Sequence, residues 1–279
     1  SLTRNADLDV VSRFNQAEAK FDTDKASFVF FTRTKFNSKN SLTSGVYIDY
    51  NTFTLFNCDF FAKVNKDTVR IDISDNNTLS QAYTQWRHRF STKLSFSAGL
   101  HAQHYSLNNQ VVVEPRGNIT YQITGNKSLS LGYGLHHQTP SVYTSYAQTK
   151  TPTSIIYSNK NLDFIASNHY VLTYDWNLSE TLRLKAEAYY QELSNVPVER
   201  NASSFSSINT GVSFGPSDKV NLVNRGTGKN YGVELTLERF FNKGYYFLFT
   251  TSLFDSKYKG SDNIERNTAY NTQIGRAHV

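Results

Sequence analysis

The chain has 279 residues, of which 38% are hydrophobic and 19% charged, and its formal net charge is +6. No run approaches the roughly 18 consecutive apolar residues of a transmembrane helix, which excludes a helical membrane protein. The basic residues are dispersed rather than clustered, so the positive charge does not predict a nucleic-acid-binding face. A single cysteine, Cys58, excludes an internal disulfide.

Alternation of apolar and polar residues predicts ten long β-strands. They cover residues 25–36, about 41–56, 80–90, 94–107, 111–123, 127–138, 167–178, 181–193, 229–241 and 244–255. Residues 1–24 and 57–78 are polar and are predicted to be loops. The strand at 181–193 is the clearest, because Leu182, Leu184 and Ala186 alternate with charged side chains. A globular strand usually has about five or six residues, whereas a strand tilted across a bilayer has about 9–11.

The predicted connections alternate between short and long. Short turns fall at Asn37–Asn40, Ser91–Lys93, Thr124–Asn126, Asn177–Glu180 and Phe241–Gly244. The intervening connections are long at 57–78, 139–165, 194–228 and from 255 onward, with 108–110 as the exception. This asymmetry is typical of outer-membrane barrels, which have short periplasmic turns and long outside loops. The predicted fold is therefore all-β, a transmembrane antiparallel up-and-down β-barrel.

Several phrases between Gln81 and Tyr270 resemble the barrel of a TonB-dependent outer-membrane receptor of the Bacteroidetes type. They include AYTQWRHRFSTKLSFSAGL, VEPRGNITYQI, LSLGYGLHHQTP, LRLKAEAYYQELSNVPVE and NRGTGKNYGVELTLERFF. The resemblance covers about two-thirds of the chain and implies a barrel of about 22 strands with a plugged lumen. Residues 1–279 would then be a partial barrel of about 10–12 strands, without the plug domain and the carboxyl-terminal strands. Residues 272–279 depart from the family and are expected to be a truncation artefact.

The resemblance implies a receptor in the outer membrane of a Gram-negative bacterium that binds a scarce extracellular ligand and imports it in a TonB-dependent manner. The implied partners are outer-membrane lipid, the TonB complex through the missing plug region, a small-molecule or oligosaccharide ligand and, as a further candidate, a surface lipoprotein. Neither an enzymatic activity nor a cofactor is expected. A passive porin or adhesin-like barrel without a plug uses the same strands and stays open. A soluble carbohydrate-binding β-sandwich is a third alternative, but it predicts shorter strands and compact loops.

Two groups of residues are candidates for the functional surface. Aromatic rings and a cation in the long loops are candidate ligand contacts, since such rings stack on sugars, porphyrins or siderophores: Tyr143, Tyr146, Tyr157, Phe205 and Arg225. Charged side chains on the polar strand faces are predicted to face the lumen and a plug: Arg87, Arg116, Glu187, Glu234 and Glu238. Packing within the loops and a wet ion-pair ladder are the simpler alternatives for the two groups.

The histidines at 136, 137 and 169 raise the question of a metal site. Zinc sites need three or four converging ligands, whereas adjacent residues on a strand point to opposite faces. Histidines lining the lumen or its rim are therefore the preferred interpretation, and neither a metal site nor a catalytic residue is predicted.

Overall fold

The computed structural model describes residues 2–4, 10–11, 17–61, 66–210 and 219–271. The predicted artefact at 272–279 lies outside these residues. The strands are β1 (Leu2–Arg4), β2 (Val10–Val11), β3 (Ala17–Lys35), β4 (Asn40–Phe61), β5 (Lys66–Arg89), β6 (Leu94–Tyr105), β7 (Gln110–Thr124), β8 (Lys127–Gln138), β9 (Thr149–Lys150), β10 (Ile155–Ile156), β11 (Ile165–Asn177), β12 (Leu182–Val198), β13 (Val223–Asn242), β14 (Tyr245–Lys259) and β15 (Glu265–Asn267). One helical turn, α1 (Val142–Ser145), and a 3-10 turn at Ser207–Asn209 complete the described elements.

The strands form one antiparallel meander. The described part of the chain contains a 13-stranded sheet in the order β1-β3-β4-β5-β6-β7-β8-β11-β12-β13-β14-β15, with β2 paired to β3. The strands β9 and β10 form a separate small hairpin. Every pairing between long strands is antiparallel. The predicted up-and-down β fold is confirmed.

The five predicted short turns all lie at one end of the sheet, the turn end, whereas the short connection at 106–109 lies at the opposite end, the loop end. At the turn end, Asn37 accepts the backbone N–H groups of Lys39 and Asn40 at 2.9 Å through its side-chain oxygen. The two-residue turn between β13 and β14 places Lys243 at φ 54° and Gly244 at φ 88°. Two positive φ values in succession match the hairpin turn whose twist fits antiparallel strands.

One side of the sheet, the apolar face, has no protein layer over it in the described residues. Phe28 is 58% exposed, Leu131 55% and Val233 52%, although each lies within a long strand. Near the loop end, four aligned tyrosines cross neighbouring strands of this face: Tyr133, Tyr170, Tyr190 and Tyr231. Tyrosine belts are typical of membrane–water interfaces, because the ring is amphipathic. A soluble sandwich would instead cover these rows with a second sheet.

The loop end corrects two predicted loops. Residues 57–61 and 66–78 are strand rather than loop, because β4 continues to Phe61 and β5 begins at Lys66. Likewise, the predicted loop 1–24 contains the start of β3 and its pairings with β1 and β2. Beyond the tyrosine row the apolar face carries polar residues such as Asp72 and Ser74, and the polar face instead carries buried apolar residues such as Phe53, Leu55 and Ile71. Apolar and polar residues therefore continue to alternate along these strands, but the two faces exchange their character.

Two long connections fold over the polar face at the loop end. The first loop is 139–164, and the second loop is described at 199–210 and 219–222. Tyr146 of the first loop is fully buried against Phe53, Leu55 and Ile71. This cluster is the hydrophobic core, so the core holds the first loop on the sheet instead of joining two sheets.

Candidate functional site on the polar face

A recess of about 510 Å³ opens on the polar face of β4 to β7. Tyr47 and Tyr83 form one wall, with their rings stacked at a centroid distance of 5.7 Å. Gly45 leaves the room for this pair, since a Cβ there would lie 2.6 Å from the Tyr83 ring. His101 and Arg116 form the opposite wall. The recess therefore combines aromatic surface with a cation.

Glu114 is the buried centre beside this recess. Its side chain has 0% exposure and accepts hydrogen bonds from His101 Nδ1 at 2.6 Å, from Gln103 Nε2 at 2.6 Å and from an Arg116 guanidinium N–H at 2.5 Å. Since a carboxylate accepts from several donors, it orients His101 and Arg116, the wall that lies opposite the tyrosine pair. The side chain of Arg116 remains 43% exposed, so part of its guanidinium faces the open space.

The sequence around Glu114 explains why a carboxylate is buried there. Pro115 has no N–H to donate to a neighbouring strand, and the pairing of β7 with β8 ends at Arg116 opposite Gly134. Beyond that point, Glu114 accepts the backbone N–H of His137 at 2.5 Å, and Gln103 donates to the His137 carbonyl at 3.2 Å. Side chains thus satisfy the backbone groups that the interrupted ladder leaves open.

A hydrogen-bonded belt continues across the polar face from β11 to the residue after β15. The amide of Gln191 contacts His169 at 2.6 Å, and Asn230 donates to Gln191 at 2.7 Å. Ser256 donates to Asn230 at 2.6 Å, and Thr268 donates to Ser256 at 2.9 Å. The belt fixes polar side chains in one orientation, so this part of the wall presents a defined pattern of donors and acceptors.

Nearer the turn end, the polar face carries a ladder of ion pairs. Arg183 donates to Asp175 at 2.9 Å and lies 3.7 Å from Glu238. Glu187 pairs with a lysine of its own strand at 2.5 Å. Glu234 lies directly opposite Glu187 in the register of β12 and β13, which places two carboxylates side by side. Like charges in direct opposition destabilise a sheet unless a cation or water lies between them.

The first loop is fastened to the sheet by an ionic contact. The Tyr146 hydroxyl donates to Asp75, and Lys160 lies 3.7 Å from the same carboxylate. Burial alone would raise the pKa of Asp75, but the hydrogen bonds from Tyr146 and from the Asn76 backbone, together with Lys160, lower it below its ordinary value. Burial and the neighbouring Asp75 charge raise the pKa of Tyr146. The contact therefore favours a neutral phenol donating to a charged carboxylate.

Asn159 joins the two loops. It has 0% exposure, and its amide donates to the carbonyl of Thr144 at 2.9 Å and to that of Lys219 at 2.7 Å. Its side-chain oxygen accepts the backbone N–H of Leu222 at 2.9 Å. One buried amide thus satisfies backbone groups of both loops, which makes them a single roof over this end of the polar face.

The predicted ligand contacts lie in different environments. Tyr143 is partly buried, 5.4 Å from a phenylalanine ring of β3, and Tyr157 stacks edge-on against Tyr146 at 5.6 Å. Tyr146 has no exposed surface that a ligand could contact in this conformation. Phe205 lies under a lysine ammonium at 5.6 Å. The predicted loop position of Arg225 is wrong, because Arg225 lies in β13, exposed and in phase with the residues of the apolar face.

The predicted lumen-facing residues share one face. Arg87, Arg116, Glu187, Glu234 and Glu238 all lie on the polar face, as the register with their neighbours shows. Contact with a plug stays a prediction.

Sequence reasoning did not single out Glu114, Tyr83 or Asn159 as important. The signal for the first was available, because a proline directly after an inward carboxylate marks an interrupted ladder.

Among the described residues, no cluster of three or more His, Cys, Asp or Glu side chains is arranged to hold a metal ion. His136 and His169 do meet, with ring centres 5.0 Å apart. No helix in the described part of the chain has the length and apolarity needed to cross a membrane.

The fold of the chain is similar to parts of several known structures. The copper transporter OprC has 11% identity and a TM-score of 0.59, with 88% of this chain covering 39% of that one. The ferripyoverdine receptor of the outer membrane of Pseudomonas aeruginosa has 11% identity and a TM-score of 0.60, over 90% of this chain and 34% of that one. The ferric-catecholate import receptor Fiu from Escherichia coli K12 has 12% identity and a TM-score of 0.59, over 88% and 39%.

At these identities the similarity shows the fold alone, and the chain spans less than two-fifths of the length of these three proteins. No match was found among curated protein sequences. The family model described as TonB dependent receptor-like, beta-barrel matches residues 2–276. The chain belongs to the TonB-dependent receptor-like β-barrel family.

Proposed function

We propose that the chain forms part of the barrel wall of an outer-membrane receptor that binds a scarce extracellular ligand and imports it in a TonB-dependent manner. One observation carries the proposal. The apolar face is uncovered across the long strands, whereas the polar face carries networks of hydrogen bonds and is roofed at the loop end. A sheet with lipid on one side and a gated aqueous lumen on the other has this arrangement.

The loop end is assigned to the cell exterior, because long loops of outer-membrane barrels lie outside. A ligand entering beneath the roof would meet the recess formed by Tyr47, Tyr83, His101 and Arg116. The aromatic pair offers stacking, and the exposed part of Arg116 offers a charged hydrogen bond to an anionic group. Tyr143 and Phe205, both partly buried at the roof, are proposed as outer contacts.

The ion-pair ladder nearer the turn end is proposed to face a plug domain supplied by another part of a longer protein. In that proposal residues 1–279 contribute about half of a barrel of about 22 strands, and the adjacent carboxylates Glu187 and Glu234 receive a plug cation between them. The TonB complex would act on the plug and not on this wall. The role is transport, and no catalytic step is assigned to any side chain.

The test is uptake by cells that express the complete receptor containing this chain. The probes are a ferric catecholate, haem, cobalamin and a maltooligosaccharide, each radiolabelled and offered at nanomolar concentration with and without a functional TonB gene. We expect uptake of at least one probe, lost without TonB and reduced by Arg116→Gln. Arg225→Gln, on the other face, is the matched control.

Three outcomes contradict the proposal. Recovery of the receptor in the soluble fraction contradicts the membrane assignment. Uptake that persists without TonB favours the passive porin without a plug. Arg225→Gln reducing uptake as much as Arg116→Gln contradicts the placement of the ligand on the polar face.

A further inference from the structure

The turn end carries a strong excess of positive charge. Its basic residues in the turns or on the apolar face are Lys39, Lys93, Lys127, Arg239 and Lys243, and those on the polar face include Arg33, Lys35, Arg87 and Arg89. The carboxylates at this end are Asp175, Glu180 and Glu238, and the first and last already contact Arg183. The turn end alone therefore accounts for the net positive charge of the chain.

The loop end is different, because several of its cations are paired with carboxylates of the sheet or its loops. Lys219 bonds Glu199 at 2.8 Å, and Lys229 bonds Glu265 at 2.7 Å. By contrast, in the described part of the chain none of the turn-end cations that lie in turns or on the apolar face has a carboxylate within ion-pairing distance. The excess positive charge at the turn end is thus not neutralised by carboxylates of the described residues and can pair with an anionic partner outside this sheet.

Two of these cations lie on the apolar face beside aromatic rings. The Lys127 ammonium lies 4.4 Å from the centre of the Trp176 ring, and the Arg239 guanidinium lies 4.3 Å from that of Tyr245. Uncovered apolar residues lie farther along the same strands, as with Leu131 in β8. A cation at the edge of such a band reaches toward the polar headgroups while its stem covers apolar surface.

We infer that the turn-end cations of the apolar face and the turns bind anionic phospholipid headgroups in the membrane leaflet that the turn end meets. The inference rests on the proposed membrane placement of the sheet. A headgroup phosphodiester supplies the negative charge that the described residues do not, and its acyl chains lie against the uncovered apolar rows. The aromatic partners Trp176 and Tyr245 hold two of the cations at the interface between these two regions.

The geometry favours lipid over a plug or a soluble acidic protein. Lys127 and Arg239 point away from the lumen, where a plug would lie, and they adjoin apolar surface that a soluble partner would leave exposed. The polar-face cations Arg33 and Lys35 face the lumen instead. The turn end therefore offers a matched comparison between two pairs of cations, one pair on the apolar face and one pair on the polar face.

The test uses the complete receptor in detergent and native mass spectrometry to measure the dissociation constant of added phosphatidylglycerol. The variant is Lys127→Gln combined with Arg239→Gln, and the control is Arg33→Gln combined with Lys35→Gln. An interfacial cation typically changes lipid affinity about fivefold, so the variant is expected to bind phosphatidylglycerol at least about fivefold more weakly. The control and the binding of phosphatidylcholine are expected to stay unchanged.

Unchanged binding of phosphatidylglycerol in the variant overturns the inference, and so does an equal loss in the control. Competition by soluble glycerophosphate as effective as that by the lipid shows a site for free phosphate and overturns it as well. Failure of the proposed function appears differently, as receptor recovered without membranes or as uptake that does not depend on TonB. If the receptor inserts into membranes and transports its ligand but shows no preference for anionic lipid, only this inference is contradicted and the proposed function stands.

Discussion

Replacing Glu114 by Ala is expected to be the most damaging single change on the polar face. The substitution leaves the backbone N–H of His137 and the amide of Gln103 without their acceptor, and it leaves Arg116 without its counter-ion. A buried donor left without its acceptor costs about 1–3 kcal/mol, so the loss of two such acceptor contacts is expected to cost about 2–6 kcal/mol in total. Arg116→Gln is expected to cost only about 1–2 kcal/mol, since Glu114 would keep its other donors and Arg116 is partly exposed.

The free energy of unfolding is measured on the complete receptor in lipid vesicles, by tryptophan fluorescence in a guanidinium series. Hydrogen exchange provides the local readout. Above Arg116 the strand β8 is held to β7 only through side chains, so exchange should rise at 134–138 and stay unchanged at 127–132, where the backbone ladder is intact. An unfolding free energy within about 1 kcal/mol of the parent, or a uniform rise in exchange, would refute the reasoning.

Three further changes test the roof and the recess. The pKa of Asp75 is lowered in the folded protein, so ionised Asp75 stabilises the roof above pH 3.8, and this stabilisation is lost as the pH falls through the lower folded pKa. Near-ultraviolet circular dichroism follows this acid-induced loss of the roof. Tyr146→Phe removes one hydrogen bond that lowers the pKa of Asp75, so the loss should occur at a higher pH. Asn159→Ala leaves buried backbone groups of both loops without a hydrogen-bond partner, at about 1–3 kcal/mol each. Limited proteolysis should then cleave both loops faster, and faster cleavage of one loop alone would contradict a single roof. Gly45→Ala places a Cβ 2.6 Å from Tyr83, which should cost about 1–3 kcal/mol of unfolding free energy and reduce uptake; parent-like values for both would show that the ring moves freely.

The membrane-facing part of the fold could be predicted from the sequence because it follows one simple rule. Within the stretch between the turns and the tyrosine row, every long strand keeps apolar residues on one side, as Leu182, Leu184 and Ala186 do in β12. The turn chemistry was equally readable, since Asn37 and Gly244 satisfy local backbone requirements. Both signals are local, because each comes from residues that lie close together along the chain.

The loop end was misread because the environment of the two faces changes there. In β5, Asp72 and Ser74 lie on the side that faces lipid farther down, and Ile71 and Ile73 lie on the side that faces the lumen. Water replaces lipid on the first side, and the first loop covers the second. Apolar and polar residues still alternate along these strands, but the apolar residues change from one face to the other. A sequence pattern that requires apolar residues on the same face along the whole strand therefore predicts a loop here.

The candidate site was only partly predictable, for the same physical reason. The side of each strand follows from period two, so Arg116 and Glu187 could be assigned to the polar face. Which neighbours they meet depends on register and on how the loops fold back, and neither is encoded locally. Tyr146 shows the difference: its place in a long loop suggested a ligand contact, whereas a register partner of Phe53, Asp75, gives it a buried position and an anchor.

The polar face changes its chemistry along the strands, and the order of these changes constrains how the wall can work. Ion pairs dominate near the turn end, hydrogen-bonded amides and imidazoles follow, and apolar residues under the roof come last. The roof is attached to this wall through Tyr146 and to itself through Asn159, so it cannot lift without exposing the apolar cluster around Phe53. A rearrangement that admits a ligand must therefore either move elements outside these contacts or supply enough binding energy to break them. Since the recess at Tyr83 and Arg116 lies below these contacts and stays open to the lumen, the wall can offer a formed surface to a ligand while its own roof remains closed.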